Sequence, residues 1–322
     1  MTEVETLLSQ AVAAVEASDL RTAADRFERA GRILAGVRDD DAVHALTSAA
    51  RLYLLAEDPP RARAVLERAR GIAPADVRVA RLHAELVDVG GEPIAREEAW
   101  LAVLATDVPA EQHHARLRLA ALAREVGVHA HAADQFAAIL AALPADADAD
   151  ERVELLLEIA TSRTAAADLD GAAAALADAE AALPPGEAAP APGAAADAAA
   201  AVALQRARIG GQQGVLALAR GDHAGALRHG EAAREVATRA RDVLTYLGAC
   251  SLIAMVHEQT GQLVDAYDTY VRARESLADL LGDGARPLVD PAIALFETRL
   301  GPAAFAEVWT AWVARRRAGT TN

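Results

Sequence analysis

Small apolar residues recur along the chain at intervals that match helix geometry. Ala23, Ala62, Ala95, Ala132, Ala172, Ala226 and Ala266 anchor seven similar stretches. The residue twelve positions before each anchor is Ala11, Ala50, His83, Ala120, Ala160, Gly214 or Ala254. Four positions after come Phe27, Leu66, Ala99, Phe136, Leu176, Gly230 and Tyr270, and seven after come Ala30, Ala69, Ala102, Ile139, Ala179, Ala233 and Ala273. Offsets of four and seven fall on one face of an α-helix, so each stretch predicts an apolar stripe. The offset of twelve crosses a turn, since GDHAGALRHGEAA (221–233) and GQLVDAYDTYVRA (261–273) both open on a glycine. Pro74, Pro144 and Pro184 each stand twelve residues past their anchors, where a helix must end. The pattern therefore predicts helix, turn, helix, repeated. Two antiparallel helices pass closely only where both lack bulk, so Ala11 should face Ala23 and Ala254 should face Ala266. His83 alone breaks the small-residue rule, and the third repeat is the weakest. An eighth pair is visible near the end, with Ala294, Gly301 and Ala306 in register and Thr310 and Val313 following.

These residues resemble the tetratricopeptide family, whose repeat of about 34 residues has a small residue in its first helix, an alanine and an aromatic in its second, and a closing proline. The resemblance runs over nearly the whole chain. It implies an all-α fold, a right-handed α-solenoid of about seven to eight helix pairs. Most anchors lie 33 to 40 residues apart, longer than the family repeat, as in kinesin light chains and bacterial signal-transducing regulators. The family's tryptophan is replaced in the first helices by Leu7, Leu46, Val79, Arg116, Leu156, Gly210 and Cys250.

One interval, Ala172 to Ala226, is 54 residues and contains PPGEAAPAPGA at 184–194. Such a run reads as a semi-rigid linker. The expected organisation is repeats one to five over 1–183, a linker at 184–194, and repeats six, seven and a degenerate eighth or cap over 195–322. The last helix carries Phe305, Trp309 and Trp312 on one stripe. They fit a terminal cap over the last repeat, or alternatively a self-association or partner interface.

Composition narrows the function. Of 322 residues 53% are hydrophobic but only 3% aromatic, so alanine supplies much of the core. A net charge of −15 disfavours nucleic acid and anionic membranes as partners. One cysteine, Cys250, precludes an internal disulfide and fits a reducing compartment. The acidic start MTEVETLLSQ lacks the basic region of a secretion signal, and no stretch has the length and apolarity of a membrane span. A cytoplasmic location is expected.

Catalytic motifs are lacking: there is no phosphate loop, nucleophile elbow, cysteine knuckle or HExxH helix. No catalytic residue, cofactor site or metal site is assigned, and the chain does not read as an enzyme. Cys250 falls at a core position. His113, His114, His129 and His131 cluster within one repeat without metal-ligand spacing. Arg315, Arg316 and Arg317 suit the negative end of the last helix dipole. The family resemblance places ligands along the concave face of the first helices. There it selects His44, Arg51, Arg81, His114, Arg118, Arg124, Arg208 and Gln212 as peptide-binding candidates, with Thr47, Glu154 and Met255 beside them. Arginine forks recognise carboxylates and phosphates, which implies an acidic or phosphorylated peptide. The family's chaperone-tail clamp needs lysines and asparagines that are missing here. The reading is a protein- or peptide-binding scaffold, the alternatives being a sensor that signals to a partner in trans and an enzyme with an unrecognised site.

Overall fold

Aspartate starts seven of the helices. Its carboxylate accepts a backbone N–H in the first turn, at Asp19, Asp58, Asp76, Asp148, Asp168, Asp222 and Asp242. Thr2 and Glu5 form a reciprocal capping box at the first helix. A computed structural model describes residues 2–184 and 194–319. These form helical hairpins, with no strand among the described residues.

The chain divides into two compact units, residues 1–139 and 140–322. In the first, α1 (Glu3–Glu16) pairs with α2 (Leu20–Leu34), α3 (Asp39–Leu55) with α4 (Pro59–Ile72), and α5 (Val77–Asp88) with α6 (Pro93–Leu104). Then come α7 (Pro109–Glu125) and α8 (His129–Ala142). In the second unit α9 (Ala149–Ala165) pairs with α10 (Leu169–Ala182), α11 (Ala194–Ala219) with α12 (His223–Ala240), and α13 (Val243–Gln259) with α14 (Leu263–Leu281). A short 3-10 turn leads to α15 (Asp290–Leu300) and α16 (Pro302–Gly319).

The small residues lie where the sequence spacing puts them in six of the seven pairs. Ala23, Ala62, Ala132, Ala172, Ala226 and Ala266 have no exposed surface, and neither do Ala11, Ala50, Ala120 and Ala254. The approach is close. A Cβ built on Gly214 would stand 3.3 Å from the carbonyl oxygen of Ala226.

The third pair departs by one residue. Ala95 is exposed, and the buried residues of α6 are Ala99, Trp100 and Val103. The place three residues into the second helix, held by Ala23 in α2, belongs here to Arg96. Ala84, twelve residues earlier, is fully buried, while His83 is only partly so. The α5–α6 turn spans four residues where those of the other six repeats span three. Arg96 fits because its guanidinium reaches Asp88 at 2.9 Å and Glu125 at 2.8 Å.

The eighth pair is also re-registered. Ala294 and Ala306 are exposed, and the contact is made by Phe296 and Val308. Phe296 meets Phe305 edge-on with ring centroids 6.4 Å apart, so this is an aromatic junction and not a small-residue crossing. Arg316 and Arg317 lie in the last turn of α16, and Arg315 and Arg316 also have partners outside it. Arg315 pairs with Asp265 at 2.6 Å and Arg316 with Glu275 at 2.7 Å, both on α14.

Residues 185–193, most of the expected linker, lie outside the described residues. The helices before and after them belong to the same unit. Arg206 of α11 reaches Glu180 of α10 at 3.2 Å, and Arg220 reaches Asp170 at 2.9 Å.

Candidate binding grooves

Successive first helices contribute the walls of two grooves, one in each unit. In the first unit a groove of about 580 Å³ is lined by Val15 of α1, Phe27 of α2, His44, Thr47, Ser48, Arg51, Leu52 and Leu55 of α3, Arg78, Arg81 and Glu85 of α5, and Glu111 of α7. Three of the expected peptide-binding residues, His44, Arg51 and Arg81, thus share one surface. In the second unit a groove of about 270 Å³ brings Arg208 and Gln212 of α11 against Glu154 and Thr161 of α9 and Leu244 and Thr245 of α13. His114 and Arg118 line a third recess beside the first groove, described below. Arg124 lies over the Phe136 ring at 4.8 Å, and Met255 is exposed without lining either groove.

The arginines are engaged. Arg81 donates through Nε to Glu85 at 2.9 Å and through Nη1 to both oxygens of Glu111 at 2.9 Å. Those bonds raise its already high pKa, the Glu85 bond contributing most. Arg208 forks onto Glu154, which raises its pKa in turn. Arg118 is held by Asp88. Arg78 is held by Asp76 at 2.7 Å, which in turn keeps the Asp76 carboxyl below its usual range. Arg51 is the loosest, 3.9 Å from Glu85. The grooves therefore present alternating signs around apolar patches, and an acidic ligand would have to displace a resident carboxylate. Sequence reasoning found the arginines but not these partners. Only Arg81 and Glu85, four apart on one helix, carried a local signal.

Other candidates are dispersed. His114 stands edge-on to Trp100 with ring centroids 5.3 Å apart, and His131 contacts Gln135 at 3.3 Å. No group of three or more His, Cys, Asp or Glu is placed to hold a metal among the described residues. Cys250 is buried, and burial pushes its thiol up to about 11, which keeps it protonated. No helix among the described residues is long and apolar enough to cross a membrane.

At the C-terminus the aromatic stripe splits. Phe305 and Trp312 each meet the Tyr267 ring edge-on at 5.4 Å, and the Trp312 indole N–H donates to Asp268 at 2.8 Å. Trp309 is 49% exposed. Phe305 and Trp312 thus cover α14, and Trp309 is the stripe residue left facing outward.

No protein-family model matches the chain, and no curated protein matches it. Solved structures do. RapI in its apo form aligns with a TM-score of 0.55 at 9% identity, covering 98% of this chain and 87% of that one. A chain in the structure of Naa15/Naa10 bound to HypK-THB aligns with a TM-score of 0.51 at 17% identity, covering 97% of this chain and 46% of that one. A tetratricopeptide repeat protein from Parabacteroides merdae aligns at 0.48 with 13% identity, covering 89% and 98%. The fold is an all-α helical repeat of the tetratricopeptide type.

Proposed function

We infer from this repeat fold that the chain is a non-catalytic scaffold that holds a protein or peptide along the grooves of its first helices. The observation that carries the reading is the provenance of the groove residues. Side chains from α1, α3, α5 and α7 converge in one unit, and from α9, α11 and α13 in the other. Convergence from several repeats gives an extended surface with recurrent polar handles, which suits a chain-like ligand better than a small metabolite. One of the similar structures belongs to an assembly, Naa15/Naa10 bound to HypK-THB, which accords with an interaction role.

The partner's chemistry follows from the grooves. Paired charges of both signs flank Val15 (42% exposed) and Leu55 (63% exposed) in the first and Leu244 (81% exposed) in the second. A partner with apolar side chains and mixed charge matches this better than an acidic tail.

Immobilised protein tests the reading by capture from the source cell. Arg51→Glu and Gln212→Glu each alter one groove and should lose the captured partner. Arg63→Glu, on an exposed position of α4 that lines neither groove, should retain it. Equal capture by all three variants would overturn the proposal.

A further inference from the structure

Trp100 carries a polar group that the fold leaves unused. It occupies, in α6, the place that Phe27, Leu66, Phe136 and Leu176 hold in other second helices, once Arg96 is taken as the anchor. A purely apolar side chain suffices for packing at that place. Trp100 is 1% exposed, and its indole Nε1 has no hydrogen-bond partner among the described residues. Buried donors are nearly always partnered, because an unmade bond forfeits the donor's solvation. Other polar aromatics conform: the buried Tyr53 hydroxyl donates to Asp25 at 2.5 Å, the buried Tyr270 hydroxyl to Glu258 at 3.5 Å, and the half-buried Trp312 indole to Asp268.

The surroundings of Trp100 are built. It lines a recess of about 280 Å³ with Glu85, Asp88, Val89, His114 and Arg118. His114 braces the ring edge-on, and the Arg118 guanidinium lies 5.7 Å from the ring centroid. Arg118 is tied to Asp88, which Arg96 also holds, and Glu85 is held by Arg81 at 2.9 Å, so each of these charges of the recess has a partner. Val89, at 87% exposure, gives an apolar wall open to solvent. What remains unmatched is one neutral donor beside one apolar surface.

We propose that this recess takes the main-chain carbonyl of a peptide, with the Trp100 indole N–H as donor and an aliphatic side chain of the peptide resting on Val89. A neutral amide oxygen accepts from the indole without adding a charge beside the Arg118–Asp88 pair, whereas a carboxylate would meet Glu85 and Asp88 as like charges. Arg118, on a flexible stem with 45% of its side chain exposed, is the movable cover through which the carbonyl reaches the ring. The proposal rests on the interaction reading above and specifies one contact within it.

The test uses the full chain with nitrogen-labelled tryptophan and valine, titrated with N-acetyl-leucine N-methylamide and, separately, with isovalerate. The three indole signals are told apart by Trp→Phe variants. The amide should move the Trp100 indole proton downfield to saturation while Trp309 and Trp312 stay put, and isovalerate should bind more weakly. In Trp100→Phe, followed at the Val89 amide, affinity for the amide should fall roughly tenfold, the size of one hydrogen bond. Phenylalanine is tolerated at this place in α2 and α8, and the wild-type titration stands by itself should the variant unfold. An indole signal unmoved up to the solubility limit, an unchanged affinity in Trp100→Phe, or isovalerate binding as tightly as the amide would each overturn the proposal. Loss of this response alone, with partner capture still sensitive to Arg51 and Gln212, would leave the scaffold reading intact.

Discussion

At the anchor positions the tolerance for bulk is less than one isobutyl group. Ala226 and Ala266 have no exposed surface and sit where two backbones pass. Ala226→Leu or Ala266→Leu should cost about 1 to 3 kcal/mol from overpacking, read as a lowered thermal midpoint. Ala95→Leu should change stability by less than about 0.5 kcal/mol because Ala95 faces solvent. If Ala95→Leu proved as costly as the other two, the re-registered third pair would be wrong. The hairpin turns offer a complementary test. Ser18, Glu57 and Ala167 are left-handed (φ about 60°) immediately before an aspartate cap, at the place where Gly221 sits in the α11–α12 turn. Ala167→Gly should therefore stabilise by about 0.5 to 1 kcal/mol, relief of backbone strain outweighing chain entropy. At this scale the sequence was legible wherever alanine itself marked the crossing. It misled at the third pair because alanine is so abundant that one stood next to the true position. An arginine whose charge escapes to Asp88 and Glu125 does not announce itself as an inner residue.

Among the elements, α16 is held in place by more than its apolar stripe. Asp268, buried on α14, accepts from the Trp312 indole and pairs with Arg272 at 2.7 Å and Arg315 at 3.5 Å. Asp268→Ala leaves the indole donor without an acceptor and should cost about 1 to 3 kcal/mol, with loss of the near-ultraviolet tryptophan dichroism before global unfolding. Dichroism that persists to the main transition would show that the aromatic contacts suffice alone. The spacing of Phe305, Trp309 and Trp312 made the stripe readable. The acidic row on α14 that receives Arg315 and Arg316 lies 41 to 50 residues away in sequence, and no helical period connects them.

For the molecule as a whole, pH acts through groups held below their ordinary values, of which three are at least partly buried. Burial lowers His83 from 6.5, the Arg78 bond lowers the Asp76 carboxyl from 3.8, and the Arg316 bond lowers Glu275 from 4.5. Each binds fewer protons folded than unfolded, so its stabilisation is complete above the ordinary value and is lost as pH falls. The thermal midpoint should hold steady near neutrality, begin to fall as pH drops below 6.5, and fall further through the carboxylate range. His83→Gln should abolish the first part of that decline; a decline that starts unchanged would point to other groups. The helical-repeat fold was legible in the sequence because close crossings demand small residues at fixed offsets. The grooves were half legible. Family resemblance singled out His44, Arg51, Arg81, Arg208 and Gln212, which line the grooves, but, Glu85 beside Arg81 excepted, the carboxylates that neutralise those arginines come from other repeats. Trp100 was passed over because the one-residue shift hid its inward position.

The central claim is that the first-helix grooves hold a protein or peptide. Photo-crosslinking amino acids placed at Ser48 and Gln212, with Arg63 on α4 as the control, measure this directly in the native cell. Adducts to a common partner from Ser48 or Gln212, and none from Arg63, are the predicted result. Adducts that form equally from Arg63, or from Arg63 alone, would contradict it.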